Sequence, residues 1–457
     1  MLRFSAAKYL QKRDFARTAN CRDGRRLHAA GPYCIVRSQL TAGTTVNDNR
    51  AAASAPFPIA DPEAAGLSAA GLARLSAVMQ REVDARRVPG VAMLIARRGK
   101  IGYRRNIGAL RPDGPPLPAD AIFRIYSMTK PIVSVALMML VEEGRLFIGD
   151  PVAKFLPEFA DPKVGVERNG TLELVAIERP ITIQDLLRHT SGLTYAFTGN
   201  SAVQRRYVES HLFAHDPGRN RQFLTRDLTT AEFVAELAKL PLINQPGKSW
   251  DYSHSTDVVG RIIEIVTGQS LGAVLRERIL APLGMNETAF YVPADKRARI
   301  AEPFAVDPDG GRPVELLDVP TPPRFESGGG GLFSTMDDYM RFAQMLYLGG
   351  ALGDTRILGR KTLEFMASDH LGPNVRIGTP SLLHPGYGFG LGFAVRREVG
   401  MASTPGTVGE FYWGGVAGTV FWIAPKAELI AMMMVQAPRQ RDHYRQLFRN
   451  LVHAALA

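Results

Sequence analysis

The sequence predicts an α/β fold of the α+β type. Strands from both ends of the chain form one antiparallel sheet, helices flank it, and a mostly helical domain is inserted between the two sets of strands. Three observations predict this. A helix followed by a strand hairpin opens the ordered part, strand-like segments return only after about residue 386, and the stretch between them carries helical spacing broken by Gly-, Pro- and Asn-rich loops.

Order begins near Phe57. Ser68 is placed to cap a helix whose Leu72, Leu75, Met79 and Val83 recur at helical spacing, and Pro89-Gly90 ends it. Residues 91–96 read as a buried strand, Arg97-Arg98-Gly99-Lys100 as a hairpin turn, and 101–107 as the partner strand. Residues 122–126 are strand-like. Helices are expected at 127–143, 183–188, 230–239, 255–267, 270–279, 335–348 and 360–366. Strands return at 388–395, 409–413, 419–423 and 429–435; the last is a nearly continuous apolar run, hence central. A final amphipathic helix carries Tyr444, Leu447, Phe448, Leu451 and Val452. The expected division is an extension over 1–56 and a domain over 57–457, with its sheet part about 57–120 and 386–457 and its helical part about 121–385. A cleft between these parts is the expected ligand site.

Composition bounds the function. With 46% hydrophobic and 22% charged residues, the 457-residue chain is an ordinary globular protein able to bury a large core. Of the net charge of +11, residues 1–56 hold ten Lys or Arg against three Asp, leaving only +4 on the body. That does not suggest nucleic-acid binding. No run of 18 apolar residues exists, so no membrane span is expected. Cys21 and Cys34 are the only cysteines, so no disulfide framework holds the body, and a cytoplasmic location is the expectation. Residues 1–56 are Arg-rich and acid-poor and read as a disordered extension.

Chemistry is carried first by Ser127-Met128-Thr129-Lys130. On a helix, positions i and i+3 share a face, so the lysine amine reaches the serine hydroxyl. A serine hydroxyl is a weak nucleophile until a base takes its proton, and an amine takes it only where burial or neighbouring charge disfavours the ammonium. Pro131 lacks an N–H, so an irregular first turn is expected. Second is Tyr252-Ser253-His254, where a phenol beside a cation can relay a proton. The structural alternative is a tyrosine packed at a helix mouth with Ser255 as cap. Third is Trp413-Gly414-Gly415-Val416 at a strand end, where small residues let a substrate lie along the backbone and amides can meet an oxyanion. The structural alternative is a glycine-rich turn between strands.

In this order the three motifs resemble the class C β-lactamase and penicillin-binding-protein superfamily. His189-Thr190-Ser191-Gly192-Leu193, Pro282-Leu283-Gly284-Met285 and the run 329–335 support the resemblance, which is greatest to family VIII carboxylesterases. It implies a β-lactamase/transpeptidase-like fold. Ser127 would be acylated, Lys130 would be its base partner and Tyr252 the proton relay. The amides of Ser127 and Val416 would form the oxyanion hole. Trp413, Gly414, Gly415 and His254 would line the substrate site. Trp413 replaces the lactamase lysine that holds a β-lactam carboxylate, and His254 replaces an asparagine, which together favour a neutral ester. The implied activity is hydrolysis of short- to medium-chain carboxylic esters, with a small-molecule ester as partner and no metal or cofactor. A β-lactamase or D-amino-acid peptidase, an acyltransferase, and a non-catalytic scaffold are the alternatives.

Two other signals are set aside. Gly268-Gln269-Ser270-Leu271-Gly272 matches a nucleophile elbow, but a helix rather than a strand precedes it, so Ser270 reads as a cap. His211 and His215 stand at i, i+4 without a third ligand, in a long segment over 195–227 that could cover the cleft.

Overall fold

The computed structural model describes residues 57–210, 212 and 227–457. The extension over 1–56, with both cysteines, and His211, His215 and the rest of 213–226 lie outside the described residues.

In chain order, α1 (Ala69–Asp84) is capped by Ser68, whose side chain accepts from the Gly71 amide at 3.2 Å. The hairpin β1 (Gly90–Arg97) and β2 (Lys100–Gly108) follows. The insertion holds β3 (Ile122–Arg124), α2 (Thr129–Glu142), the hairpin β4 (Lys163–Arg168) and β5 (Thr171–Ala176), and α3 (Ile183–Leu187). It continues through α4 (Ala202–Glu209), α5 (Thr230–Ala238), α6 (Ser255–Thr267), α7 (Leu271–Leu275), β6 (Phe333–Thr335), α8 (Met336–Tyr347) and α9 (Arg360–Met366). The chain then returns with β7 (Tyr387–Phe389), β8 (Ala394–Arg396), β9 (Phe411–Gly414), β10 (Val420–Ala424), β11 (Leu429–Val435) and α10 (Arg441–His453).

Among the described residues, seven strands form one antiparallel sheet in the order β7-β8-β9-β10-β11-β1-β2. Val91 of β1 pairs with Val435 of β11, so strands from the two ends of the fold meet inside the sheet. The alternation of side chains across a strand divides the core. Ile430, Met432 and Met434 of β11 and Leu94 of β1 face the helical insertion. Ala431, Met433, Met93 and Ile95 face α1 and α10, against Leu75, Met79, Phe448 and Val452. A strand buried on both faces is why 429–435 reads as one apolar run.

Several boundaries differ from the sequence reading. The strand expected at 388–395 is two strands, because the chain reverses at Gly390–Phe393, where the Gly390 amide bonds the Phe393 carbonyl at 2.8 Å. The strand-like 122–126 is only β3, paired with β6. The helix expected from 127 starts at Thr129. Tyr126–Met128 form a 3₁₀ turn before it, and Pro131 offers no amide to the Ser127 carbonyl. The helix expected at 270–279 changes to a π turn from Arg276. Ser255 is the first helical residue rather than the cap, which is His254. Ser270 does cap α7, accepting from the Ala273 amide at 3.2 Å. The β4–β5 hairpin and α4 were not expected at all. The hairpin turns at Asn169-Gly170 (φ 50° and 78°), the pair that the tightest hairpin turns favour.

A buried carboxylate anchors α3. Burial opposes charge on Asp185, but its bonds from Arg179, Thr182 and Thr190 outweigh that and hold its carboxyl at about 2. A depressed folded pKa adds stability that is complete above the unfolded value near 3.8 and is lost as pH falls through about 2. Asp185→Asn should therefore lower stability at neutral pH by about 2 kcal/mol. Denaturant midpoints should show the gap from wild type shrinking as pH falls below about 4.

Candidate active site

Ser127 sits in the 3₁₀ turn between β3 and α2, half-buried, at a cavity of about 370 Å³. Ser127 on that turn and Lys130 in the first turn of α2 stand three residues apart and share a face, which brings the serine and lysine together. Lys130 Nζ donates to Ser127 Oγ at 3.3 Å. The turn is held from all sides. The Ile125 amide bonds the Leu332 carbonyl, Tyr339 donates to the Met128 carbonyl at 2.9 Å, and Gln436 and Thr419 donate to the Arg124 and Ile125 carbonyls. Tyr126, just before the nucleophile, has a left-handed φ of 42°, a conformation that costs about 1–3 kcal/mol and persists only where neighbours enforce it. Its hydroxyl accepts from the Leu317 amide at 2.7 Å, tying the turn to the 317–323 loop on the cavity wall.

Lys130 is 1% exposed. Besides Ser127 it donates to the Tyr195 hydroxyl at 3.2 Å and the Gly329 carbonyl at 2.5 Å. The nitrogen lies 4.5 Å from the centre of the Tyr252 ring. The tyrosine hydroxyl that bonds Lys130 is thus that of Tyr195, a residue that sequence reasoning missed. Tyr252 contributes its ring face to the lysine, and its hydroxyl accepts from Trp413 Nε1 at 3.3 Å. Burial, then the Asp257 carboxylate and Tyr252, push the Tyr195 hydroxyl well above the ordinary phenol, so it stays protonated.

Asp257, also missed as a site residue, fixes the far side. It accepts from Ser327 at 2.7 Å, from the Gly329 amide at 2.9 Å and from His254 Nδ1 at 2.9 Å. Burial opposes its charge, but the bonds from His254 and Ser327 and the charge of Lys130 outweigh it and hold the carboxyl below the ordinary value. Gly329, bound to Asp257 through its amide and to Lys130 through its carbonyl, links acid and base. His254 lines the cavity beneath Tyr195, with ring centres 4.2 Å apart. The run 189–193 reaches the site through a hydroxyl chain: His189 Nδ1 meets Ser253 at 3.1 Å, Ser253 meets Ser255 at 2.8 Å, and Ser255 meets Ser191 at 2.8 Å. The His189 ring packs on Tyr252, and burial followed by the charge of Lys130 keeps that histidine neutral.

On the strand side, Trp413, Gly414 and Val416 line the cavity with Ser127. Gly415 does not. It faces the nucleophile turn, where a Cβ would sit 2.4 Å from the Ile125 carbonyl oxygen. Its smallness lets the strand end close on Ser127 rather than making room for substrate. The cavity is lined further by the aromatic rings of Phe197, Phe233, Phe290 and Phe325 and by Arg441, Arg445 and Arg449 of α10. Among the described residues no three His, Cys, Asp or Glu side chains come together as metal ligands. No single described helix is long and apolar enough to cross a membrane.

The chain is similar over most of its length to known proteins. It is 35% identical over 368 residues to Protein Rv1367c of Mycobacterium tuberculosis, covering 78% of this chain and 88% of that one. It is 32% identical over 405 residues to Esterase EstB of Burkholderia gladioli, covering 82% of this chain and 93% of that one. Among solved structures it matches EstCE1, a hydrolase with promiscuous acyltransferase activity, with a TM-score of 0.68 and 27% identity over 84% of this chain and 98% of that one. A family model described as Beta-lactamase matches residues 75–455. With that span matched and a buried Ser-x-x-Lys pair on this sheet, the chain belongs to the β-lactamase family and is a serine hydrolase of that fold.

Proposed function

We propose that the chain is a serine carboxylesterase of the family VIII type, hydrolysing short- to medium-chain carboxylic esters through an acyl-enzyme on Ser127. The observation that carries this reading is Ser127 Oγ 3.3 Å from the buried Lys130 amine, on a cavity whose strand wall presents Trp413 instead of a cation. Likeness to Esterase EstB and to EstCE1 supports it. Ser127 Oγ attacks the ester carbonyl, and its proton passes to Lys130 as the base partner. The amides of Ser127 and Val416 receive the oxyanion. The alcohol leaves with a proton passed back from Lys130 by way of Tyr252, and a water then enters by the reverse route to release the acid.

Hydrolysis of p-nitrophenyl butyrate should far exceed that of nitrocefin, with kcat/KM apart by at least about 10²-fold, the scale of one missing charged contact in a buried site. Equal kcat/KM on the two would sink the ester preference. A second reading, acyl transfer, is favoured by the aromatic lining of the cavity and by the likeness to EstCE1. An alcohol added to the ester assay should then be acylated at the expense of free acid, which product analysis reads directly.

A further inference from the structure

Arg445 projects from α10 to the strand end beside the nucleophile. Its Nη2 donates to the carbonyls of Gly415 and, at 3.2 Å, Thr419. Those residues bracket the turn between β9 and β10, which is closed by bonds from the Gly415 amide to the Thr419 carbonyl at 2.8 Å and from Gly418 to Gly415 at 3.0 Å. The contact depends on Gly414, since a Cβ there would lie 2.7 Å from Nη2 and 2.8 Å from Cζ of Arg445. The two glycines therefore have separate tasks. Gly414 admits the guanidinium and Gly415 admits the Ile125 carbonyl. The charges facing Arg445 are Asp442, 3.7 Å away and largely exposed, and Arg441 on the same helix, with the Tyr412 and Tyr252 phenols nearby.

The Gly415 carbonyl and the Val416 N–H are two ends of one peptide unit. A cation on the oxygen draws electron density along the amide and makes the nitrogen end a stronger donor. It also fixes the plane of that unit, and so the direction in which the N–H points. We infer that Arg445 is a positioning residue for the oxyanion hole, orienting and polarising the Gly415–Val416 peptide so that the Val416 N–H meets the developing oxyanion. This rests on the proposed serine chemistry. The bond is present before substrate arrives, so it needs no reorganisation at the moment of reaction.

The test compares wild type, Arg445→Met and Arg445→Lys in two assays: the rate of Ser127 labelling by a fluorophosphonate, and kcat and KM on p-nitrophenyl butyrate. Loss of a whole oxyanion donor costs about 10²–10³-fold, so weakening one should slow labelling and kcat by about 10- to 100-fold. KM should stay within about twofold, and Arg445→Lys should recover part of the loss because an ammonium can still donate to the Gly415 carbonyl. Should Arg445→Met fail to fold, Arg445→Gln, which keeps donors but no charge, carries the same comparison. Labelling within about twofold of wild type in the uncharged variant overturns the inference, as does a loss shared equally by kcat, 1/KM and both substitutions. A wild-type protein that is labelled but turns over no ester refutes the esterase reading while labelling still decides the role of Arg445. A wild-type protein that is not labelled refutes both.

Discussion

Replacing Ser127 by alanine should abolish ester hydrolysis and fluorophosphonate labelling, with kcat falling by about 10⁶-fold, the usual loss when a serine nucleophile is removed. The fold should survive. The bonds that hold the turn run through the backbone of residues 124–129 and through side chains of other elements, not through Ser127 Oγ. The Tm of Ser127→Ala should therefore stay close to that of wild type. Ser270→Ala supplies the contrast, since its hydroxyl caps α7 by accepting from the Ala273 amide. That variant should lose about 1 kcal/mol of stability and keep most of its activity. A dead Ser270→Ala beside an active Ser127→Ala would move the nucleophile to the other motif and refute the mechanism.

The second large effect concerns proton transfer. Lys130→Ala should reduce kcat by about 10²–10⁴-fold, the range for a lost acid–base partner. Tyr252→Phe should fall in the same range if its hydroxyl, which accepts from Trp413 at 3.3 Å, delivers the proton to the leaving alcohol. Tyr195→Phe should cost less, about tenfold, because its protonated hydroxyl bonds Lys130 and acts only by orienting the amine. Combining Lys130→Ala with Tyr252→Phe should be little worse than the poorer single variant, as groups acting as one unit are not additive. A near-wild-type Tyr252→Phe together with a Tyr195→Phe as damaged as Lys130→Ala would reroute the proton through Tyr195.

What the sequence reveals follows the range of the interaction. The Ser127–Lys130 contact is local, so a three-residue spacing suffices to propose it, and Pro131 alone announces the irregular turn. The central strand is legible because both its faces are apolar. Tyr195, Asp257 and Arg445 were missed for the opposite reason. Each looks ordinary in its own segment and gains meaning only when α6, the 327–331 loop and α10 are brought to the same cavity. Gly415 was assigned to the substrate wall because glycines at a strand end suit either task, and only the position of the Ile125 carbonyl tells them apart. The β4–β5 hairpin was overlooked although Asn169-Gly170, flanked by alternating apolar residues, signals it. The expectation of a helical block outweighed that local signal.

The pairing of Val91 with Val435 has a consequence for how the molecule is made. During synthesis β1 and β2 emerge well before β11, as a hairpin with one long apolar edge exposed until that strand is made. The helical insertion can condense meanwhile, but the wall carrying Val416 is joined to β1 only through β10 and β11. Closing so large a loop makes completion of the sheet slow. A nascent chain stalled before residue 429 would present a sticky strand edge, a species prone to aggregate. Chaperone demand and loss of yield should thus concentrate in the interval between synthesis of β2 and synthesis of β11.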